Sequence, residues 1–196
     1  MTPASGTSTP ARRSERSRRA ILDATFALVA ERGYAKVTIE SIAATAGVGK
    51  PTIYRWWSSK GVLTLDAISA KVSTGLGFPD TGDLVADLTT QMTGLLNLLN
   101  GDVGTVYRGV LAEAQSDPDL SAAVRQTITE PHSINCEMRL VKAIAAGQLR
   151  NDIPTRVMVE QLYAPIYYRL ILGTAALDPA HIPDLLDNAL TGLAPR

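Results

Sequence analysis

Apolar residues recur along most of this chain at helical spacing and nowhere alternate regularly with polar ones, which predicts helices and no strands. In the first sixty residues the pattern marks three segments. Ile21, Leu22, Ala24, Phe26, Leu28 and Val29 form a wide stripe that predicts a helix over 14–32, ended by Gly33. Ile39, Ile42 and Ala43 recur at i, i+3, i+4 behind Thr38, whose hydroxyl suits an N-cap. Gly47 then permits a turn at positive φ. Pro51 starts a further helix without an N–H to lose. Ile53 and Trp57, four apart, give that helix its inward face. Pro51, Thr52 and Arg55 face outward, with Tyr54 and Trp56 on the flanks. Two short helices around a glycine turn, the second with a Lys, Thr, Tyr and Arg surface, predict a helix-turn-helix.

The rest of the chain reads as further helices. Ser58 or Ser59 caps one over about 60–74, and Gly75, Gly77 and Pro79 then form a linker. A helix apolar on most sides follows to about 100, carrying Leu84, Leu88, Met92, Leu95, Leu96, Leu98 and Leu99. Shorter helices are predicted over 102–116 and 118–129, with Pro131 kinking or restarting the chain before a stretch that stops at Gly147. A helix of about twenty residues starts at Pro154, and Pro165 predicts a kink in it. Asp178-Pro179 caps the last. The fold class is all-α: residues 1–13 a disordered basic tail, 14–60 a helix-turn-helix domain, 61–196 a helical body.

Net charge is zero, but unevenly spread. Residues 1–60 hold ten Lys/Arg and four acids, a net +6, which leaves −6 for residues 61–196. A cationic head suits a polyphosphate partner, because each neutralised phosphate releases counterions. An anionic body turns the head towards it. Cys136 is the sole cysteine, so no intrachain disulfide forms. No signal peptide or membrane-spanning run is visible, and a cytoplasmic location is the simplest expectation. Gly49-Lys50 lacks the glycine five positions earlier, where Ala44 stands, and the following Ser or Thr, where Pro51 stands, of a phosphate-binding loop, so no nucleotide cofactor is predicted.

The stretch VTIESIAATAGVGKPTIYRWWSSKGVL resembles the signature of tetracycline-repressor-type (TetR) transcriptional regulators, and the likeness covers residues 14–65. The resemblance implies that the second helix of the motif enters the major groove of double-stranded DNA. Lys50, Thr52 and Arg55 are then the candidates for base edges and Pro51 for a thymine methyl. Thr38, Tyr54 and Lys60 match positions that usually hold phosphates, whereas Trp56 departs from the small or imidazole side chain often found there. The resemblance further implies a homodimer on a palindromic operator, joined through the two final helices. Leu162, Ile166, Leu170, Leu185, Leu186 and Ala189 are the candidates for that seam, although their spacing serves intrachain core equally well. It also implies a cavity for a small-molecule effector, with Phe78, Met92, Leu96, Tyr107, Tyr163 and Tyr167 as candidate walls. Ordinary core packing accounts for each of these as well.

A different class of reading rests on His132 and Cys136, four apart on one helical face beside Glu137. They suggest a metal pair in a metal-sensing regulator, or a nucleophile–base pair in a helical enzyme. The only other histidine, His181, lies far along the chain, and metal and catalytic sites converge three or more groups. The sequence therefore assigns no catalytic residue and no metal site.

Overall fold

The structure is a computed structural model, which describes residues 10–72 and 77–194. Most of the expected basic tail and Gly75 of the expected linker lie outside the described residues. All regular structure among the described residues is helical. The order is α1 (Pro10–Arg32), α2 (Ile39–Ala46), α3 (Lys50–Tyr54), α4 (Lys60–Val72), α5 (Leu84–Asn100), α6 (Asp102–Ala114), α7 (Pro118–Val124), α8 (Glu130–Ala145), α9 (Thr155–Leu172) and α10 (Ile182–Leu193).

Local sequence explains most of the boundaries. Helix α1 begins at Pro10, earlier than the apolar stripe alone predicts, and carries the tail's last arginines as helix. Ser59 caps α4, its hydroxyl accepting from the Val62 N–H at 3.2 Å. Asp83 and Asp117 cap α5 and α7 through their carboxylates. Pro131 lies in the first turn of α8, as a restarted helix predicts. The chain widens into one π-helical turn, Arg125–Thr129, which runs straight into α8. Such a turn accommodates the carbonyl that a proline ring leaves without a partner. Helix α9 likewise continues through Pro165.

One continuous core runs from the first three helices into the body. Helix α1 packs on α2 and α4, α4 on α6 and α7, and α5 lies between α6, α8 and α10. Two glycines set how closely these layers approach. A Cβ on Gly61 of α4 would lie 2.5 Å from the Leu120 side chain of α7, and one on Gly109 of α6 would lie 2.4 Å from Cβ of Tyr34. Tyr34 sits in the turn after α1, so Gly109 lets the body touch the N-terminal unit directly.

A buried ion pair fastens the body. Arg139 of α8 places Nε and Nη2 each 2.7 Å from Oδ2 of Asp87 on α5, and both residues are sealed from solvent. The backbone N–H and hydroxyl of Thr81 complete the carboxylate's shell. Burial alone raises an aspartate's pKa, but the Thr81 and Arg139 hydrogen bonds outweigh it and leave Asp87 below the usual range.

Candidate nucleic-acid interface and ligand cavity

The helix-turn-helix is built by its caps. Thr38 Oγ1 accepts from the Ser41 N–H and Ser41 Oγ accepts from the Thr38 N–H, each at 3.2 Å, a closed capping box at the start of α2. Gly47 ends α2 at φ 66°, and the Val48 N–H reaches back to the Ala43 carbonyl at 3.0 Å. That bond closes a left-handed turn only glycine enters freely. Pro51 lies in the first turn of α3, and Ile53 is fully buried beneath it.

Lys50, Pro51, Tyr54 and Arg55 stand open to solvent on one side of α3, while Thr52 is half-buried. Trp56 is exposed in the turn after the helix, with the Arg55 guanidinium 5.8 Å from its ring. Thr38 is exposed at the start of α2. The ammonium of Lys50 is paired with Glu40 of α2, whose carboxyl is held down to about 2, chiefly by that hydrogen bond. Lys60 is a correction in part. Its ammonium donates inward to the Tyr34 and Val37 carbonyls at 3.0 and 3.1 Å and lies 4.0 Å over the Tyr34 ring. Two of its three donors therefore hold the turn between α1 and α2 in the free protein.

Sequence reading missed Asp66. This carboxylate on α4 accepts from the buried Trp57 indole N–H at 2.8 Å and lies 3.4 Å from the Arg18 guanidinium of α1. Trp57 also donates its backbone N–H to Ile53 of α3 at 3.0 Å, so Asp66 grips the end of the exposed helix. A lone aspartate in an amphipathic helix gives no sequence signal for such a contact.

One turn further along α4, Ile68, Ser69 and Val72 form a wall of a cavity of about 250 Å³. Leu95, Leu98 and Leu99 of α5 face them, with Val103 and Tyr107 of α6. His132 and Asn135 of α8 and Tyr167 of α9 close the far side. Of the six expected wall residues, Tyr107 and Tyr167 line this cavity. Tyr163 lines a second space of about 200 Å³ that shares His132 and Tyr167. Met92 and Leu96 are core residues that line neither, because they turn into the layer between α5 and its neighbours. Phe78 lines neither, and stacks 5.4 Å from the His132 ring behind the wall.

The polar groups at this cavity form a chain. Tyr163 donates its hydroxyl to Gln91 Oε1 at 2.5 Å, and the amide end of Gln91 lies 2.9 Å from His132 Nε2. With the Gln91 oxygen accepting from Tyr163, its NH₂ faces His132 Nε2, an arrangement that suits a neutral imidazole with its proton on Nδ1. Burial also lowers the pKa of His132. The Cys136 thiol is pushed up to about 12, mainly by burial. A histidine with Nε2 already engaged and a buried protonated thiol make neither a metal pair nor a nucleophile–base pair. Among the described residues no three His, Cys, Asp or Glu side chains converge on a metal position.

The expected dimer seam is corrected by the fold. Leu162, Ile166, Leu170, Leu186 and Ala189 are sealed inside the monomer and Leu185 is half-buried. Helix α9 has no single apolar stripe, and its outward residues are Val157, Glu160, Gln161, Ala164, Tyr168, Ile171 and Leu172.

An exposed short helix held by a glycine turn, gripped by a helix that also walls a cavity, defines a DNA-binding transcriptional regulator with an N-terminal helix-turn-helix. Residues 21–67 match the family described as bacterial regulatory proteins, tetR family, and residues 78–189 match the tetracyclin repressor-like C-terminal domain. The chain belongs to the TetR family of transcriptional regulators, and is not an enzyme. It is 34% identical to the uncharacterized HTH-type transcriptional regulator YdeS of Bacillus subtilis, over 92% of this chain and 91% of that one. It is 30% identical to the DNA-binding transcriptional repressor TetR of Mycobacteroides abscessus, over 91% and 94%. The crystal structure of the TetR family transcription regulator SCO0332 superposes with a TM-score of 0.76 at 35% identity, covering 92% of this chain and all of that one. No described helix is long and apolar enough to cross a membrane.

Proposed function

We propose that the protein is a repressor that binds a palindromic operator as a homodimer and is released from it by a largely apolar small molecule, in the cytoplasm. The observation that carries this reading is the double duty of α4. Asp66 on one face holds the end of α3, while Ile68, Ser69 and Val72 two to six positions on wall the cavity. A ligand that fits one position of α4 better than another shifts α3 with it, and it acts only through that difference in affinity. The Mycobacteroides abscessus relative, a repressor by its name, supports the direction of regulation.

On DNA, α3 enters the major groove. Arg55 and Thr52 read base edges, Pro51 touches a thymine methyl, and Thr38, Tyr54 and the remaining donor of Lys60 hold phosphates. Lys50 joins them by exchanging Glu40 for DNA. Two copies meet through the outer face of α9, where Val157, Ala164, Tyr168 and Ile171 recur at helical spacing. Large apolar residues left exposed on the outer face of a helix whose inner face is already buried suit a second covering surface. The two α3 helices then address half-sites about 34 Å apart or a multiple of it.

Selection of bound duplexes from a random library, followed by thermal-shift screening of metabolites and a DNA-release assay, tests the whole. The selection should return an inverted repeat, and at least one stabilising compound should release it. Arg55→Ala should relax preference at one base position per half-site, at a cost of about 1–3 kcal/mol. A selected site without two-fold symmetry would overturn the dimeric reading. Stabilising compounds that leave DNA bound would overturn the release mechanism.

A further inference from the structure

The lining of the cavity restricts what it can hold. None of its thirteen wall residues is Asp, Glu, Lys or Arg. The one ionisable base, His132, has its pKa lowered by burial, which favours the neutral ring, and its Nε2 lies 2.9 Å from the Gln91 amide. An ionised ligand would leave water without a counter-charge, which is far costlier than burying a neutral polar group. The volume, about 250 Å³, lies just below the range of roughly 300–1,000 Å³ that drug-sized molecules occupy.

Tyr107 supplies the specific feature. It lines the cavity with 4% of its surface exposed, and its buried hydroxyl makes no hydrogen bond of good geometry among the described residues, its polar neighbours being the Tyr167 and Thr129 hydroxyls. Buried polar groups are nearly always satisfied, so an orphaned hydroxyl on a cavity wall is a donor awaiting an acceptor. Burial raises the pKa of this phenol, so the proton stays on oxygen and the group remains a donor. Of the remaining polar walls, Tyr167 is half-buried with its hydroxyl beside that of Tyr107, and the others are engaged or peripheral. Ser69 donates its hydroxyl to the Leu65 carbonyl at 3.1 Å, and Thr127 and Asn135 are exposed at the mouth.

We infer that the effector is a small, uncharged, largely apolar molecule bearing one carbonyl-type acceptor, which receives the Tyr107 hydroxyl. This rests on the proposed role of the cavity and adds the chemical class of its ligand. Carboxylates, phosphates and amines are excluded by the neutral lining. Pure hydrocarbons enter, but leave Tyr107 unsatisfied.

Three probes of one shape separate these classes: β-acetonaphthone (ketone), β-ethylnaphthalene (hydrocarbon) and β-naphthoate (anion). Titration calorimetry on the full chain should show the ketone binding about tenfold more tightly than the hydrocarbon, the gain of one hydrogen bond to a buried donor. The anion should bind most weakly. In Tyr107→Phe the ketone's advantage should vanish while the hydrocarbon's affinity stays within about twofold. A readout needing no variant is the ketone's infrared carbonyl band, which should move to lower frequency on binding to the native protein. Tightest binding of the anion, survival of the ketone's advantage in the variant, an unshifted band, or no binding of any probe would each overturn the inference. If a charged compound from the metabolite screen still released DNA, the cavity's regulatory role would stand and only the ligand class would fall. If no compound released DNA, the regulatory reading itself would fail.

Discussion

Removing the Asp66 carboxylate tests whether α4 grips the recognition helix. Asp66→Ala deletes the acceptor of the Trp57 indole N–H and leaves that donor buried, since Trp57 is only 3% exposed. A hydrogen bond to a charged group contributes about 1.5–3 kcal/mol. The pairing with Arg18 is more than a third exposed on both sides and adds about 0–1 kcal/mol. The expected loss is therefore about 2–3 kcal/mol, or about 4–12 °C in Tm for a chain of this size. Asp66→Asn keeps an acceptor oxygen and should lose about 1 kcal/mol. Urea denaturation followed by far-ultraviolet circular dichroism gives both values. Trp57→Phe removes the donor, so the double variant Asp66→Ala/Trp57→Phe should lose less than the two single losses combined, by about 1–2 kcal/mol. If the single losses simply add within about 0.5 kcal/mol, the contact carries no coupling and α4 does not hold α3 through it.

Arg139→Ala strips the buried Asp87 of its counter-ion and should destabilise by about 3–5 kcal/mol in denaturant titration. Because the folded-state pKa of Asp87 is lowered, its stabilisation is present above the unfolded carboxylate value of about 3.9 and is lost as pH falls through the folded value. Asp87→Asn should remove that component from the acid limb of a stability–pH profile, and an unchanged acid limb would exclude the pair as its source. Gly109→Ala sets a methyl against Tyr34 and should cost about 1–3 kcal/mol as overpacking, whereas Gly77→Ala, with open space around it, should be neutral; equal effects would contradict the close approach. Ile171→Asp on the outer face of α9 should shift sedimentation from dimer to monomer without loss of helicity, and an unchanged mass would move the interface elsewhere.

The N-terminal third was legible because its determinants are local. Thr38, Gly47, Pro51 and Ile53 act within one or two turns of themselves, through caps, a positive φ and a missing N–H. The sequence therefore specified the helix-turn-helix, its outward residues and the head's excess of positive charge without reference to the body. The all-helical class and most helix boundaries followed in the same way from period and capping. Helical period could not tell which side of α9 faces the chain's own core. Leu162 and Tyr168 are equally apolar letters, and only packing against α8 and α10 decided that the first is sealed and the second open. Nor could it distinguish Met92, filled in among its neighbours, from Tyr107, left facing a void. Asp66 meeting Trp57, Lys60 turned onto backbone carbonyls, and the Gln91–His132–Tyr163 chain join residues 9, 26, 41 and 72 positions apart. Such partners are chosen by the approach of whole helices, and helix approach is set by the summed shape of many side chains rather than by any motif among them.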